Sequence, residues 1–222
     1  SCLAQYASRL GWQSRYFITT PNDQIDNGFY DLRKAVEAGE LGGIMHVSSE
    51  NTAVGAYLAR ECPVPKIVSP VLDFKQMIEL GLDRLRKSAY SRIDVFFPIR
   101  HENIEESRRE AESILAHYCK TRKTDRQLLE LHLVAAHYEE ARRYFKQQWE
   151  TGTRHPEAIL IAMDSLFHGI WNAILELKIE IPEQLGLITH INQRLVPRAH
   201  IPLTALEIST DGMARIAFDT FL

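Results

Sequence analysis

The sequence predicts an α/β protein whose parallel strands are covered by helices, and three observations predict it. Short apolar runs of strand length alternate with longer stretches that carry apolar residues at helical spacing. Glycine and proline fall mainly between these runs, where turns are wanted. One run, Ala158-Ile159-Leu160-Ile161-Ala162, is apolar throughout, as a strand buried between two helical layers must be.

Taken in order, Leu3, Ala7 and Leu10 share one helical face, and Gly11 stops that helix where a left-handed residue is needed. Tyr16-Phe17-Ile18 reads as a short strand and Pro21-Asn22-Asp23 as a turn. Phe29, Leu32 and Val36 mark a second helix, after which Gly39 and Gly42-Gly43 lead into the strand Ile44-Met45-His46-Val47. Residues 53–61 read as helix, Lys66-Ile67-Val68 as a strand, and Ile78, Leu82 and Leu85 as the buried face of the next helix. Ile93-Asp94-Val95-Phe96-Phe97 is a strand closed by Pro98. A charged helix over 104–118, a strand over 128–134 and a helix over 137–149 follow. The strand at 158–162, a helix over 165–177 and a strand over 185–189 continue the alternation. Residues 211–222 read as a helix cut short. Doubly wound units open on a strand, whereas this chain opens on a helix, so the sequence is expected to be a fragment.

A chain of 222 residues suits one large domain or two small lobes. Its 26 basic and 29 acidic residues give a net charge of -3, which leaves no basic footprint for nucleic acid. Contact with DNA would need another segment. The cysteines Cys2, Cys62 and Cys119 are odd in number and far apart, which fits a reducing compartment better than a disulfide framework. No stretch approaches a membrane span, and residues 1–12 read as an amphipathic helix rather than a signal peptide. A cytoplasmic location is expected. There is no phosphate-binding glycine loop, no nucleophile elbow and no zinc-protease helix. The 9 histidines are scattered, so neither enzymatic activity, a metal nor a cofactor is expected.

Specific signal is concentrated late in the chain. Pro156, Ala158, Asp164, Gly169, Ala173, Ile181, Pro182 and Ile188 form an ordered set, followed by Ile201-Pro202-Leu203-Thr204 and by Gly212 with Ala217. Earlier come Ala7, Gly11 and Trp12, then Leu41-Gly42-Gly43-Ile44-Met45, then Asp73, Leu85 and Tyr90-Ser91-Arg92-Ile93, then Arg108 and Ala111. In these residues and their order, the chain resembles the LacI/GalR family of bacterial transcription regulators.

The resemblance implies the family's effector-binding part, a two-lobed, type I periplasmic-binding-protein-like fold with a parallel sheet flanked by helices in each lobe. Carried over, one lobe holds residues 1–92 and 183–208, and the other 93–182 and 209–222. It also implies a sugar-like effector, a homodimer, and a DNA-binding helix-turn-helix that these residues do not include. Met163 stands where the family has Asn, and Ile191-Asn192 where it has an acidic pair, so the ligand is expected to differ from a typical family sugar.

Candidate ligand residues follow from strand ends. Asp164 sits just past the strand 158–162, where a carboxylate accepts hydroxyl hydrogen bonds or simply caps a helix. Arg108 offers a planar guanidinium to a ligand, or a surface ion pair within its run of Glu105, Glu106, Arg109 and Glu110. His190 and Asn192 follow the strand 185–189; Asn192 both donates and accepts, while His190 also suits a packed ring. Ser49, Glu50 and Asn51 follow the strand 44–47, in a ligand loop or a plain surface loop. Of Phe97, Tyr138 and Trp171, Phe97 at a strand end is the best candidate for stacking on a sugar.

Two functions compete. The first is a ligand-controlled, DNA-binding regulator. The second is a periplasmic solute-binding protein of a sugar transporter. A helix-turn-helix upstream would mark the first, a signal peptide or lipobox the second.

Overall fold

The structure is a computed structural model that describes residues 2–18, 27–46, 53–68, 73–99, 104–192 and 204–221. In chain order the elements are α1 (Cys2–Arg9), α2 (Asn27–Glu37), β1 (Ile44–His46), α3 (Ala53–Arg60), β2 (Lys66–Val68) and α4 (Phe74–Lys87). There follow β3 (Ile93–Ile99), α5 (Ile104–Arg122), β4 (Leu129–Ala135), α6 (Tyr138–Thr151), β5 (Ala158–Ile161), α7 (Asp164–Glu176), β6 (Gly186–Asn192), β7 (Thr204–Ile208) and α8 (Thr210–Phe221). The chain divides into two compact units, Ser1–Leu72 with Ser209–Leu222, and Asp73–Ile208.

In the first unit, β1 and β2 form a parallel pair. Phe29, Leu32 and Val36 from α2 pack with Val54, Tyr57 and Leu58 from α3, and with Ile44, in one buried cluster. These are the helical-spacing residues of both segments, and burying them is what holds two short helices in place. The first and last helices meet through aromatic rings: Tyr6 stacks on Phe218 at 5.5 Å, and Trp12 lies 5.6 Å from the same ring.

In the second unit, five parallel strands form one sheet in the order β4-β3-β5-β6-β7. Every residue of β5 is fully buried, which explains its uninterrupted apolar sequence. One face packs on α6 and α7, through Phe96, Val134, Ile159, Ile161 and Leu187. The other packs on α4 and α5, where the missing side chain of Gly81 admits Leu160 of β5. Asp73 caps α4 by accepting a hydrogen bond from the Gln76 N–H at 2.9 Å.

Several expectations shift. Tyr16-Phe17-Ile18 is not a strand: Tyr16 and Ile18 are 60% and 86% exposed, and the segment joins no ladder among the described residues. The turn at Pro21-Asn22-Asp23 and the strand end at Val47 lie outside the described residues. Pro98 does not close β3, which runs to Ile99. The Phe96 carbonyl accepts from the Ala162 N–H, so the Pro98 nitrogen two residues on faces the same side, where pairing with β5 has already stopped. A fifth strand of the large sheet, β7, was not expected: only its first residue, Thr204, belongs to the motif Ile201-Pro202-Leu203-Thr204.

The lobe boundaries shift for the same reason. Strands β6 and β7, assigned above to the first lobe within residues 183–208, hydrogen-bond into the sheet of β3 to β5. The segment 209–222, assigned to the second lobe, groups with the first unit, and α4 groups with the second.

Candidate functional site

Ligands of open parallel sheets bind beyond the carboxyl ends of the strands. In the second unit the ends of β5 and β6 bring Asp164, Ser165 and His190 together. Asp164 is the first residue of α7, and the cap position before it belongs to Met163, in extended backbone with no side-chain cap bond. Of the two roles left open for Asp164, the cap is therefore not the one it fills. Its Oδ1 accepts from the Ser165 N–H at 2.8 Å, within the first helical turn, where the helix dipole favours negative charge.

His190 lies one residue past Thr189, the register partner of Ile161, and is 5% exposed. Burial pushes its imidazole below the ordinary range, opposed by the nearby Asp164 charge and by a hydrogen bond to the Ala162 carbonyl. The ring is thus neutral at neutral pH. Its Nδ1 is buried without a hydrogen-bond partner, and so is the Ser165 hydroxyl oxygen. A buried polar atom left unmatched costs about 1–3 kcal/mol. Two such atoms flanking one carboxylate form a constellation that a hydroxyl-bearing molecule satisfies.

The other expected residues stand apart from this group or beyond description. Arg108 on α5 is 44% exposed and lies 3.6 Å from the Glu105 carboxylate, the surface pair its charged run allows. Asn192 ends β6, but its side chain lies outside the described residues, as do Ser49, Glu50, Asn51 and the Ile201-Pro202-Leu203 motif. Phe97 is corrected: it has no exposed surface and its ring packs against Phe74 at 5.7 Å, so it presents no face for stacking on a ligand. Tyr138 accepts a hydrogen bond from Asn172, and Trp171 stacks on Phe167 at 5.8 Å against the core.

Sequence reading passed over one cluster. Asp94, Glu130 and His132 meet on the α6 and α7 face of the sheet, with the His132 Nε2 2.9 Å from the Asp94 Oδ2. The available signal was the alternation Glu130-Leu131-His132, which puts both polar side chains on one face of a strand.

Residues 82–222 match the family of periplasmic binding protein-like domains. No curated protein matches the chain significantly in sequence. Among solved structures, a transcription regulator-like protein from Staphylococcus haemolyticus superposes with a TM-score of 0.73 at 15% identity, over 99% of this chain and 82% of that one. A regulatory protein of the LacI family from Chloroflexus aggregans gives 0.72 at 14% identity, over 99% and 80%. A LacI family transcriptional regulator from Lactobacillus casei, with bound glucose, gives 0.66 at 18% identity, over 100% and 85%. At these identities the likeness is one of fold. With the family matched from the helix α4 to the end of the sequence, the chain belongs to the periplasmic binding protein-like domain family.

Proposed function

We propose that this chain is the effector-binding part of a LacI-type transcription regulator, a receptor rather than an enzyme. In this reading its two units are the lobes of a type I receptor. It holds a sugar or similar small polar molecule, and that binding sets the DNA affinity of a longer, homodimeric protein in the cytoplasm. The observation that carries the reading is the pairing of the Asp164 carboxylate with two buried, unmatched polar atoms at the carboxyl ends of β5 and β6. Asp164 and the neutral His190 Nδ1 both accept hydrogen bonds, and the Ser165 hydroxyl both donates and accepts. A polyhydroxylated ligand meets all three. Arg108 and Asn192 are further proposed contacts. The regulators sharing the fold, one of them with bound glucose, support the regulator over the transport receptor.

The test is a thermal-shift screen of the chain against mono- and disaccharides, because a ligand that binds only the folded state raises its melting temperature. A true effector shifts wild type, and Asp164→Asn weakens that ligand at least about 10-fold, the lower end for losing a charge-assisted hydrogen bond. Equal affinity in Asp164→Asn, with unchanged circular dichroism, would remove Asp164 from the site. If the full-length protein bound operator DNA equally with and without the effector, the regulatory reading would fall.

A further inference from the structure

Asp94 and Glu130 are register partners on the neighbouring parallel strands β3 and β4, and Phe96 and His132 are the next matched pair on that face. Two carboxylates thus stand side by side with an imidazole one step along. The His132 Nε2 lies 2.9 Å from the Asp94 Oδ2 and 4.0 Å from the Glu130 Oε1. One donor atom from each residue falls within 4.8 Å of the other two. Ligands about 2.0–2.2 Å from a tetrahedral ion stand roughly 3.4 Å apart, between those two distances.

The imidazole is held from the far side. Its ring stacks on Phe96 at 4.7 Å and meets Tyr144 edge-on at 5.8 Å, and its Nδ1 is 3.1 Å from the Tyr144 hydroxyl. A metal-bound histidine characteristically gives its outer nitrogen to such a partner. When a metal displaces the Nε2 proton, the ring carries its proton on Nδ1 and donates it to Tyr144, and Nε2 turns its lone pair to the ion between the carboxylates. His132 and Asp94 are 5% and 16% exposed, whereas Glu130 is 71% exposed on the edge strand, so the cluster has a buried floor and an open mouth.

Charge points the same way. Like charges at directly opposed sheet positions repel, and among the described residues the only basic group paired with Asp94 or Glu130 is His132. A doubly charged cation between the carboxylates relieves that repulsion. Imidazole in the donor set favours the zinc class over magnesium or calcium.

We propose that Asp94, Glu130 and His132 form a zinc-class metal site with three protein ligands and an open fourth position, which ties the edge strand β4 to β3. The proposal is independent of the effector reading, which rests on Asp164, Ser165 and His190 at the ends of β5 and β6 and shares no residue with this cluster.

The test is calorimetric titration of the chain with zinc chloride and magnesium chloride, with cobalt(II) as an absorbing substitute for zinc. One zinc per chain is expected, with no magnesium heat, a higher melting temperature with zinc, and a visible cobalt band of a four-coordinate site. Glu130→Gln should weaken zinc at least tenfold and reduce the cobalt band, and Asp94→Asn should weaken it further. Because Glu130 is mostly exposed, its substitution leaves the fold intact and decides the matter even where a His132 variant does not fold. His117→Gln, which removes a histidine paired with Glu79 elsewhere, should leave the affinity unchanged. Wild-type affinity in Glu130→Gln, loss of binding in His117→Gln, or no zinc binding by wild type would each overturn the site.

Discussion

His132 and His190 are buried to the same degree, each 5% exposed and each beside an aspartate, yet they are wired differently. They occupy opposite faces of one sheet. The register runs from His132 through Phe96 and Ile161 to Thr189, which places His190, the next residue, on the reverse side. His132 uses both ring nitrogens, one toward Asp94 and one toward Tyr144. His190 leaves Nδ1 without a protein partner. A fully engaged buried ring stiffens the structure around it, whereas a half-engaged one carries a debt in free energy that a ligand can lift. Burial alone therefore says little about a histidine's role, and the partners on its two nitrogens say most of it.

The largest break in this comparison is His132→Ala. It removes partners from Asp94 and Tyr144 and opens a space beside Phe96, so urea denaturation should show a loss of about 3 kcal/mol or more. A loss below about 1 kcal/mol would mean that the two hydrogen bonds are not holding the ring. Tyr144→Phe removes only the outer bond and should cost about 0.5–1.5 kcal/mol by the same measurement.

The smallest effect at neutral pH belongs to His190→Phe, which takes away an unmatched polar atom and should leave stability within about 1 kcal/mol of wild type. Its signature is pH dependence. The folded His190 titrates below the unfolded value of about 6.5, so as pH falls the unfolded chain takes the proton first. The stability present above that value is lost as pH drops toward the folded one. Wild type should therefore lose melting temperature between about pH 7 and 5 more steeply than His190→Phe. Parallel slopes would show that burial does not hold this ring neutral.

What was legible in the sequence divides along similar lines. The apolar run of β5 and the helical spacing of α2, α4 and α7 showed through because burial on a regular element leaves a period in the residues. The position of Asp164, past β5 and at the start of α7, was legible because a strand end and a helix start are both local features. The strand β7 was missed because an edge strand, here of half-buried and exposed residues with none fully buried, needs no strong apolar run. Tyr16-Phe17-Ile18 failed for the opposite reason, since strand composition alone does not make a ladder. The meeting of Asp94 with His132 spans 38 positions and depends on strand register, which no local pattern encodes. The lobe boundaries were carried over by resemblance, and the pairing of β6 with β5 overrode them.

One small residue reaches further than its size. A Cβ on Gly169 would strike the Tyr138 carbonyl and come within 2.9 Å of the Ala141 methyl, so α7 rides directly on the backbone of α6. With no side chain at Gly169 to give way, the two helices are locked at that crossing like the layers of one plank. The stance of Asp164, five positions before Gly169 on that plank, is inherited from α6 as much as from its own helix. Evolution or design that tunes this carboxylate can thus act through residues that never touch a ligand.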